Sequence, residues 1–415
     1  MKWLGGLHLL TLRDFGLVWG AGFLSMLAGW ALQVALPILI YDLSGSATAV
    51  SLAAIVSLLP RLIVAPIAGV FVDRWNRQRT MWVSNLVRAS IVLVLVAVED
   101  RSTIVLLYVV LFANSIVAQF LIPAENALLP TLVPDERDLP AANSLNSLNN
   151  NLAMLLGPAV GGTLLTIAGF DGIVISYSVA CLIAMLLILS LRSDGKAVSI
   201  ESSEPTQNAP GKWRKIWIDW RAGVHVILEE PRLLRIFVVA LILGVGAAAS
   251  ASLTPVFFVD ALEGGSSSYG LYLSVRGFGG VFGAILFSIF ADRIPLYRQL
   301  VWGLILTGVL DLLLFGFPLF VTAVTPAIVL GAFTGPPLAA LNASSQTIIQ
   351  LATPDQFRGR VFSSIDTSMA LVGLGATALA GVAADAFGVV PVLLVLSAPL
   401  VVAGLYLSIQ PVEED

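Results

Sequence analysis

Runs of about twenty apolar residues recur along this chain, each long enough to cross a bilayer's hydrocarbon core as one helix. Twelve are read, at 15–41, 47–72, 80–98, 103–130, 141–168, 172–191, 233–260, 267–291, 299–317, 320–351, 358–385 and 390–409. Between them polar residues are scarce. Charged residues make up 12% of the 415, about half the share usual in a soluble domain. The expectation is an all-α membrane protein with twelve transmembrane helices.

Several function classes drop out at once. No basic patch sits beside exposed aromatics, so nucleic acid is not an expected partner. The single cysteine, Cys181, lies in an apolar run, and His8 and His225 fall outside such runs. No disulfide framework, metal cluster or metal-binding His pair is expected, and no cofactor. A deep nucleophile with a base is missing too, so an intramembrane enzyme is not expected. No GxxxxGK[ST] sequence supports a nucleotide-driven pump. The first apolar run is too long for a cleavable signal and lacks a small-x-small exit.

Only one long polar interval exists, 192–231, between the sixth and seventh runs. Its SDGKAVSIESSEPTQNAPGK opening has the composition of a flexible linker. WRKIWIDWRAGVHVIL then sets Trp213, Trp217, Trp220, Val224 and Ile227 on one helical face, as a helix lying in the headgroup layer would. The chain therefore divides into 1–191, a six-helix bundle, 192–231, a linker with an interfacial helix, and 232–415, a second six-helix bundle. With the N-terminus inside, all but four of the 22 Lys and Arg fall in cytoplasmic loops, termini or helix ends. Arg101 is outside, and Arg61, Arg88 and Arg276 sit at membrane depth. That asymmetry places both termini in the cytoplasm.

A shift of about 220 residues superposes the halves. GVFVDRWNRQR (69–79) has its counterpart in SIFADRIPLYRQ (288–299), and PDERDLPAANSLNS (134–147) in PDQFRGRVFSSIDT (354–367). Two repeated bundles are an arrangement associated with alternating access.

Gly69-x-x-x-Asp73-Arg74-x-x-Arg77 resembles motif A of the major facilitator superfamily, echoed at Asp292 and Arg293. Gly157-Pro158-x-x-Gly161-Gly162 resembles its motif C, associated with drug:proton antiporters. LPRLIVAPIAGVFVDRWNRQR, ALLPTLVPDERDLPAANSLNS and TPDQFRGRVFSS together resemble the branch that contains enterobactin exporters and macrolide efflux proteins. The resemblance implies the major facilitator fold. It also implies a latch in which Asp73 meets the start of the eleventh helix, around Phe357–Arg360, with Arg74 and Arg77 in the surrounding ion pairs. Two positions depart from the pattern: Asn76 replaces a usual glycine, and Glu125 stands where many members carry a basic residue.

Charges at membrane depth cost enough that they normally face protein or water. Asp366, with Arg61, is the proton-coupling candidate; Asp311 and Arg88 lie on helices peripheral in that fold. Helix 5 carries Asn143, Asn146, Ser147 and Asn150 on one stripe, and helix 10 carries Asn342, Gln346 and Gln350. Asn143 and Gln350, at the cytoplasmic ends, are read as interhelical hydrogen bonders. With Gln33, Asn114, Gln119 and Arg276, the central residues Asn146, Asn150, Asn342 and Gln346 are the pathway candidates. The expected function is export of a hydrophobic or amphipathic small molecule, a drug, macrolide or siderophore-like compound, in exchange for protons. The expected setting is a monomer in the bacterial cytoplasmic membrane. A lipid or lysophospholipid carrier of the same fold, and a membrane receptor that transports nothing, are the alternatives.

Overall fold

The computed structural model describes residues 2–72, 74–98, 100–192, 212–290 and 293–410. Among these residues there are helices and turns and no strand. Ten helices among the described residues are long and apolar enough to cross a membrane. Their outer faces carry large apolar side chains such as Ile167, Leu379, Phe387 and Val395, each more than 70% exposed. Water would penalise such a surface and hydrocarbon would not. The protein is a multi-pass membrane protein.

The chain separates into two compact units. Unit 1 holds residues 1–45, 53–200 and 265–274; unit 2 holds 46–52, 201–264 and 275–415. The α-helices of the first half are α1 (Arg13–Ser44), α2 (Ala47–Ile63), α3 (Ala65–Val72), α4 (Arg77–Leu93), α5 (Ile104–Leu132) and α6 (Leu139–Leu189). Those of the second half are α7 (Lys212–Glu229), α8 (Pro231–Val256), α9 (Gly265–Phe290), α10 (Leu296–Gly316), α11 (Val324–Ala352), α12 (Arg358–Phe387) and α13 (Val389–Ser408). Short 3₁₀ segments extend several of them, and α8 runs on into a π-turn, Phe257–Ala261, just after Pro255.

Three expected helices have a different form. The second run, 47–72, is broken at Val64 into α2 and α3, four residues past Pro60. The fifth and sixth runs join without a gap as α6, but Gly169 at φ 68°, ψ −172° interrupts it. Essentially only glycine adopts that conformation. A straight helix of 51 residues would extend about 77 Å, far beyond the roughly 30 Å of hydrocarbon. The glycine breaks that length into two.

The interior of unit 1 is built chiefly by α1 against α6, with α4 and α5 alongside. Glycines set the closest approaches. A Cβ on Gly161 would lie 2.6 Å from Ala31 Cα, and one on Gly157 would meet Trp30 and Leu27. In unit 2, α8 packs on α12 and α10 on both α11 and α13.

Part of α7 packs on α12. Trp220 donates from Nε1 to Ser368 Oγ at 3.3 Å, Ser364 Oγ donates to the Trp220 carbonyl at 2.9 Å, and Ile227 is buried. Gly223 lies between them, so bare that a Cβ would strike Ser364 Oγ and the Arg360 carbonyl. Trp217 and Leu228 stay exposed. Packing against α12 has claimed one side of the helix.

Candidate functional site

Unit 1 contains a half-open cavity of about 290 Å³. From α1 come Gly22, Ser25, Met26, Gly29, Trp30 and Gln33; from α5 come Ala118, Leu121, Ile122 and Glu125; α4 contributes Arg88. Helix spacing explains the set: positions 22, 25, 26, 29, 30 and 33 lie on one face of α1, and 118, 121, 122 and 125 on one face of α5.

Two ionisable groups reach this cavity. Arg88 is 7% exposed and tightly held. Its Nη1 donates to Ser25 Oγ at 2.9 Å and its Nε to Asn114 Oδ1 at 3.3 Å. The Tyr177 hydroxyl also donates to Asn114 Oδ1, at 3.0 Å, and the guanidinium lies 5.5 Å from the Tyr177 ring centre. Four helices thus cooperate to keep one cation at membrane depth. Ser25 also donates to Asn85 Oδ1 at 3.3 Å, which ties the group back to α4. Glu125 is 5% exposed and has no hydrogen-bond or ion-pair partner among the described residues.

Close to Glu125 lies Asn149 of α6, which is 0% exposed. Its Nδ2 donates to the Trp19 carbonyl at 2.9 Å, and its Oδ1 has no donor. A Cβ on Gly22 would lie 3.3 Å from both Asn149 Nδ2 and Glu125 Oε1. Both side chains therefore flank the bare backbone of α1.

Of the sequence candidates, Gln33 lines the cavity and Asn114 braces Arg88 from behind. Gln119 spends its amide on the Ser115 carbonyl at 3.0 Å. Asn146 is half-buried and Asn150 exposed, as are Asn143 and Ser147. The polar stripe of helix 5 is thus largely an exposed face, and Asn149, one step off it, is the amide turned into the bundle. Arg88, which sequence placed on a peripheral helix, belongs to the cavity. In unit 2, Asn342, Gln346 and Asp366 are exposed, while Arg276 is half-buried and interacts electrostatically with Asp311 of α10. In α2, Arg61 is exposed.

Of the motif A set, Gly69 lies in α3, whereas Asp73 and Asp292 lie outside the described residues. Arg74 and Arg293 are exposed. Arg77 Nη1 donates to the Ala127 carbonyl of α5 at 2.9 Å. Asn76, the departure from the usual glycine, caps α4: its Oδ1 accepts from the Arg79 N–H at 2.8 Å. The motif C residues have two sets of neighbours. Gly157 and Gly161 pack on α1, and only Gly162 and Pro158 meet the start of α9, at Ser266 and Gly270. The Ala159 N–H, next to Pro158, donates to Ser274 Oγ at 3.0 Å. A hydroxyl from a neighbouring helix here compensates for a proline inside a span.

A second built feature lies at the start of α2, within unit 2. Asp385 of α12 accepts from Ser46 Oγ at 2.7 Å, from Ala47 N–H at 2.6 Å and from Thr48 N–H at 3.1 Å. One carboxylate thereby caps the N-terminus of a different helix. Gly381, one turn earlier, lets the helices touch: its Cβ would lie 2.6 Å from Ser51 Oγ.

An all-helical, multi-pass membrane protein with a half-open, mostly apolar cavity that holds two ionisable groups inside one helical unit is the class that emerges. The chain belongs to the transmembrane secretion effector family, whose model matches residues 5–414, within the major facilitator superfamily. It is similar to macrolide efflux protein A of Streptococcus pyogenes, 28% identical over 193 residues. That match spans 46% of this chain and 47% of the relative, and the chain spans less than half the length of the first curated relatives it matches. Similarity to the multidrug efflux pump Tap of Mycolicibacterium fortuitum runs further, 27% identity over 89% of each chain. Among solved structures, a peptide transporter aligns with 95% of this chain and 93% of its own at a TM-score of 0.73 and 14% identity, a likeness of fold.

Proposed function

We propose that this protein is a secondary transporter that exports a hydrophobic or amphipathic small molecule from the cytoplasm in exchange for protons. The observation that carries this reading is the unit 1 cavity, apolar over most of its wall and holding two buried ionisable groups at membrane depth. Ionisable residues in spans are costly and mark ligand or ion paths. Its volume, about 290 Å³, lies near the lower bound of drug-sized sites. The efflux proteins of S. pyogenes and M. fortuitum support the direction of transport.

In this reading twelve spans form two six-helix bundles, 1–191 and 232–415, joined by the 192–231 linker, with α2 and α3 as one span and α6 as two. Alternating access exposes the site to each side in turn, with both termini in the cytoplasm. Asp366 carries the proton, with Arg61 modulating it, and Asp73 and Asp292 serve the cytoplasmic latch with Arg74, Arg77 and Arg293. Inward proton movement is driven by about 2.3 kcal/mol per 100 mV of membrane potential.

The test is a compound-accumulation screen in an efflux-deficient bacterial host. Expression lowers the accumulation of at least one compound class, and a protonophore restores it. Asp366→Asn abolishes the protonophore-sensitive part while the protein is still inserted. Accumulation unchanged across the screen overturns export; efflux indifferent to the protonophore overturns proton coupling.

A further inference from the structure

We propose that the uncovered face of α7 docks on anionic phospholipid headgroups of the surrounding bilayer and passes that contact to the start of α12. A helix lying at a membrane surface needs neither the preference for anionic lipid nor the link to α12. Neither rests on the export reading.

Helical spacing sorts α7 into two sides. At about 100° per residue, Trp220, Gly223 and Ile227 fall within about 60° of one another. These are the residues that α12 and the core of unit 2 cover. On a neighbouring face Trp217, Arg221 and Leu228 fall within about 40° of one another, and all three are exposed. Arg221 has no hydrogen-bond or ion-pair partner among the described residues. His225, further round, is turned to Glu229, Nδ1 to Oε1 at 3.2 Å. In sequence the first turn adds Lys212, Arg214 and Lys215, so α7 carries four Lys and Arg against two acidic residues.

That strip fits neither water nor hydrocarbon. Water penalises the Trp217 ring and the Leu228 side chain, and hydrocarbon penalises the guanidinium. The headgroup boundary suits all three, since indoles collect at that depth and cations reach the phosphates. A zwitterionic surface provides the boundary without net charge. An anionic one also matches the positive helix.

The route to α12 is short. The Trp217 ring stacks on that of Trp220, with centroids 4.8 Å apart and planes at 26°. Trp220 holds α12 twice: its Nε1 donates to Ser368 Oγ at 3.3 Å, and its carbonyl accepts from Ser364 Oγ at 2.9 Å. Gly223 lets the two backbones close, because its Cβ would lie 2.5 Å from the Arg360 carbonyl oxygen. Positions 360, 364 and 368 form one stripe, so α7 is fastened along the first turns of α12. When headgroups restrain α7, the start of α12 is restrained with it.

The experiment uses the purified full-length protein, one copy per nanodisc, in phosphatidylcholine alone or with one third phosphatidylglycerol. Hydrogen–deuterium exchange is followed by mass spectrometry. Phosphatidylglycerol is expected to slow exchange about two-fold or more in both 212–229 and 358–368. Arg221→Gln loses most of that slowing in both segments. Trp220→Phe keeps a ring for Trp217 but no N–H for Ser368; it retains the slowing in α7 and loses at least half of it in 358–368. Thermal melts of both variants verify the fold. Equal exchange in the two lipids, or full slowing in Arg221→Gln, overturns the proposal. So does slowing by inorganic phosphate in phosphatidylcholine discs, which makes the ligand a soluble anion. Slowing confined to discs with two copies makes the partner a second chain and overturns it as well. Unchanged slowing of 358–368 in Trp220→Phe overturns the link to α12.

Discussion

Arg88 can remain charged inside a bundle because three helices besides its own supply its surroundings. Tyr177→Phe removes the hydroxyl that donates to Asn114 and keeps the ring beneath the guanidinium. Hydrogen bonds between membrane helices average about 0.6 kcal/mol and reach about 1.7. The expected loss is therefore about 1 kcal/mol, seen as a lower melting temperature in detergent. Arg88→Ala, which strips Ser25 and Asn114 of their shared donor, should cost more than Tyr177→Phe; an equal or smaller shift contradicts the network. Asn76 allows a finer comparison. Replacement of a capping Asn by Ala costs about 1 kcal/mol and by Gly only a few tenths, so Asn76→Gly should melt almost as the parent does. At this scale the sequence was half legible. Arg88 stands out in the sequence as a charge among apolar neighbours and Glu125 as a departure from the family pattern, but nothing local tells which is braced and which is left bare. Asn149 lies off the helical stripe at 143, 146, 147 and 150, and that stripe is largely exposed. Burial follows from what packs opposite a residue, and α1 lies more than 100 positions away.

Helices here approach one another wherever a side chain is missing, and that makes the glycines separable by experiment. Gly161 faces Ala31 so closely that its Cβ would lie 2.6 Å from a backbone carbon, which cannot swing aside. Gly20, on the same α1–α6 pair of helices, has nothing within 4 Å of its Cβ position. Gly161→Ala should lower stability by about 1–3 kcal/mol through overpacking. Gly20→Ala should be neutral or stabilising by up to about 1 kcal/mol, because alanine is the better helix former. Melting curves of the two purified variants decide the matter, and similar shifts would refute the packing account. The Asp385 cap gives a second contrast. Asp385→Ala removes three accepted hydrogen bonds from the first turn of α2, with an expected loss of about 1–2 kcal/mol. Ser46→Ala removes one of the three and should cost less. Helix existence was well signalled by the apolar runs, since length and hydropathy suffice for it. The docking of α7 was not, because Gly223 becomes a contact only once Ser364 and the Arg360 carbonyl of α12 are brought to it.

For the whole molecule, the decisive element is Gly169, because the number of membrane crossings depends on it. If α6 turns back there, six spans separate Arg79 from Ile294: α4, α5, two parts of α6, α8 and α9. An even number leaves both residues on one side of the membrane, as expected from the distribution of Lys and Arg. If α6 crossed once, the number would be odd and the two residues would face opposite compartments. The chain suits a labelling test, because its single cysteine, Cys181, is buried and should stay silent. Arg79→Cys, Ile294→Cys and Ser102→Cys are each placed at exposed positions and treated with a membrane-impermeant maleimide. In intact cells only Ser102→Cys should react, and the other two should react after permeabilisation. Reaction of Ile294→Cys but not Arg79→Cys in intact cells would make α6 a single span. The two repeated bundles would then have opposite orientations, and a mechanism in which one copy moves against another of the same topology would lose its basis.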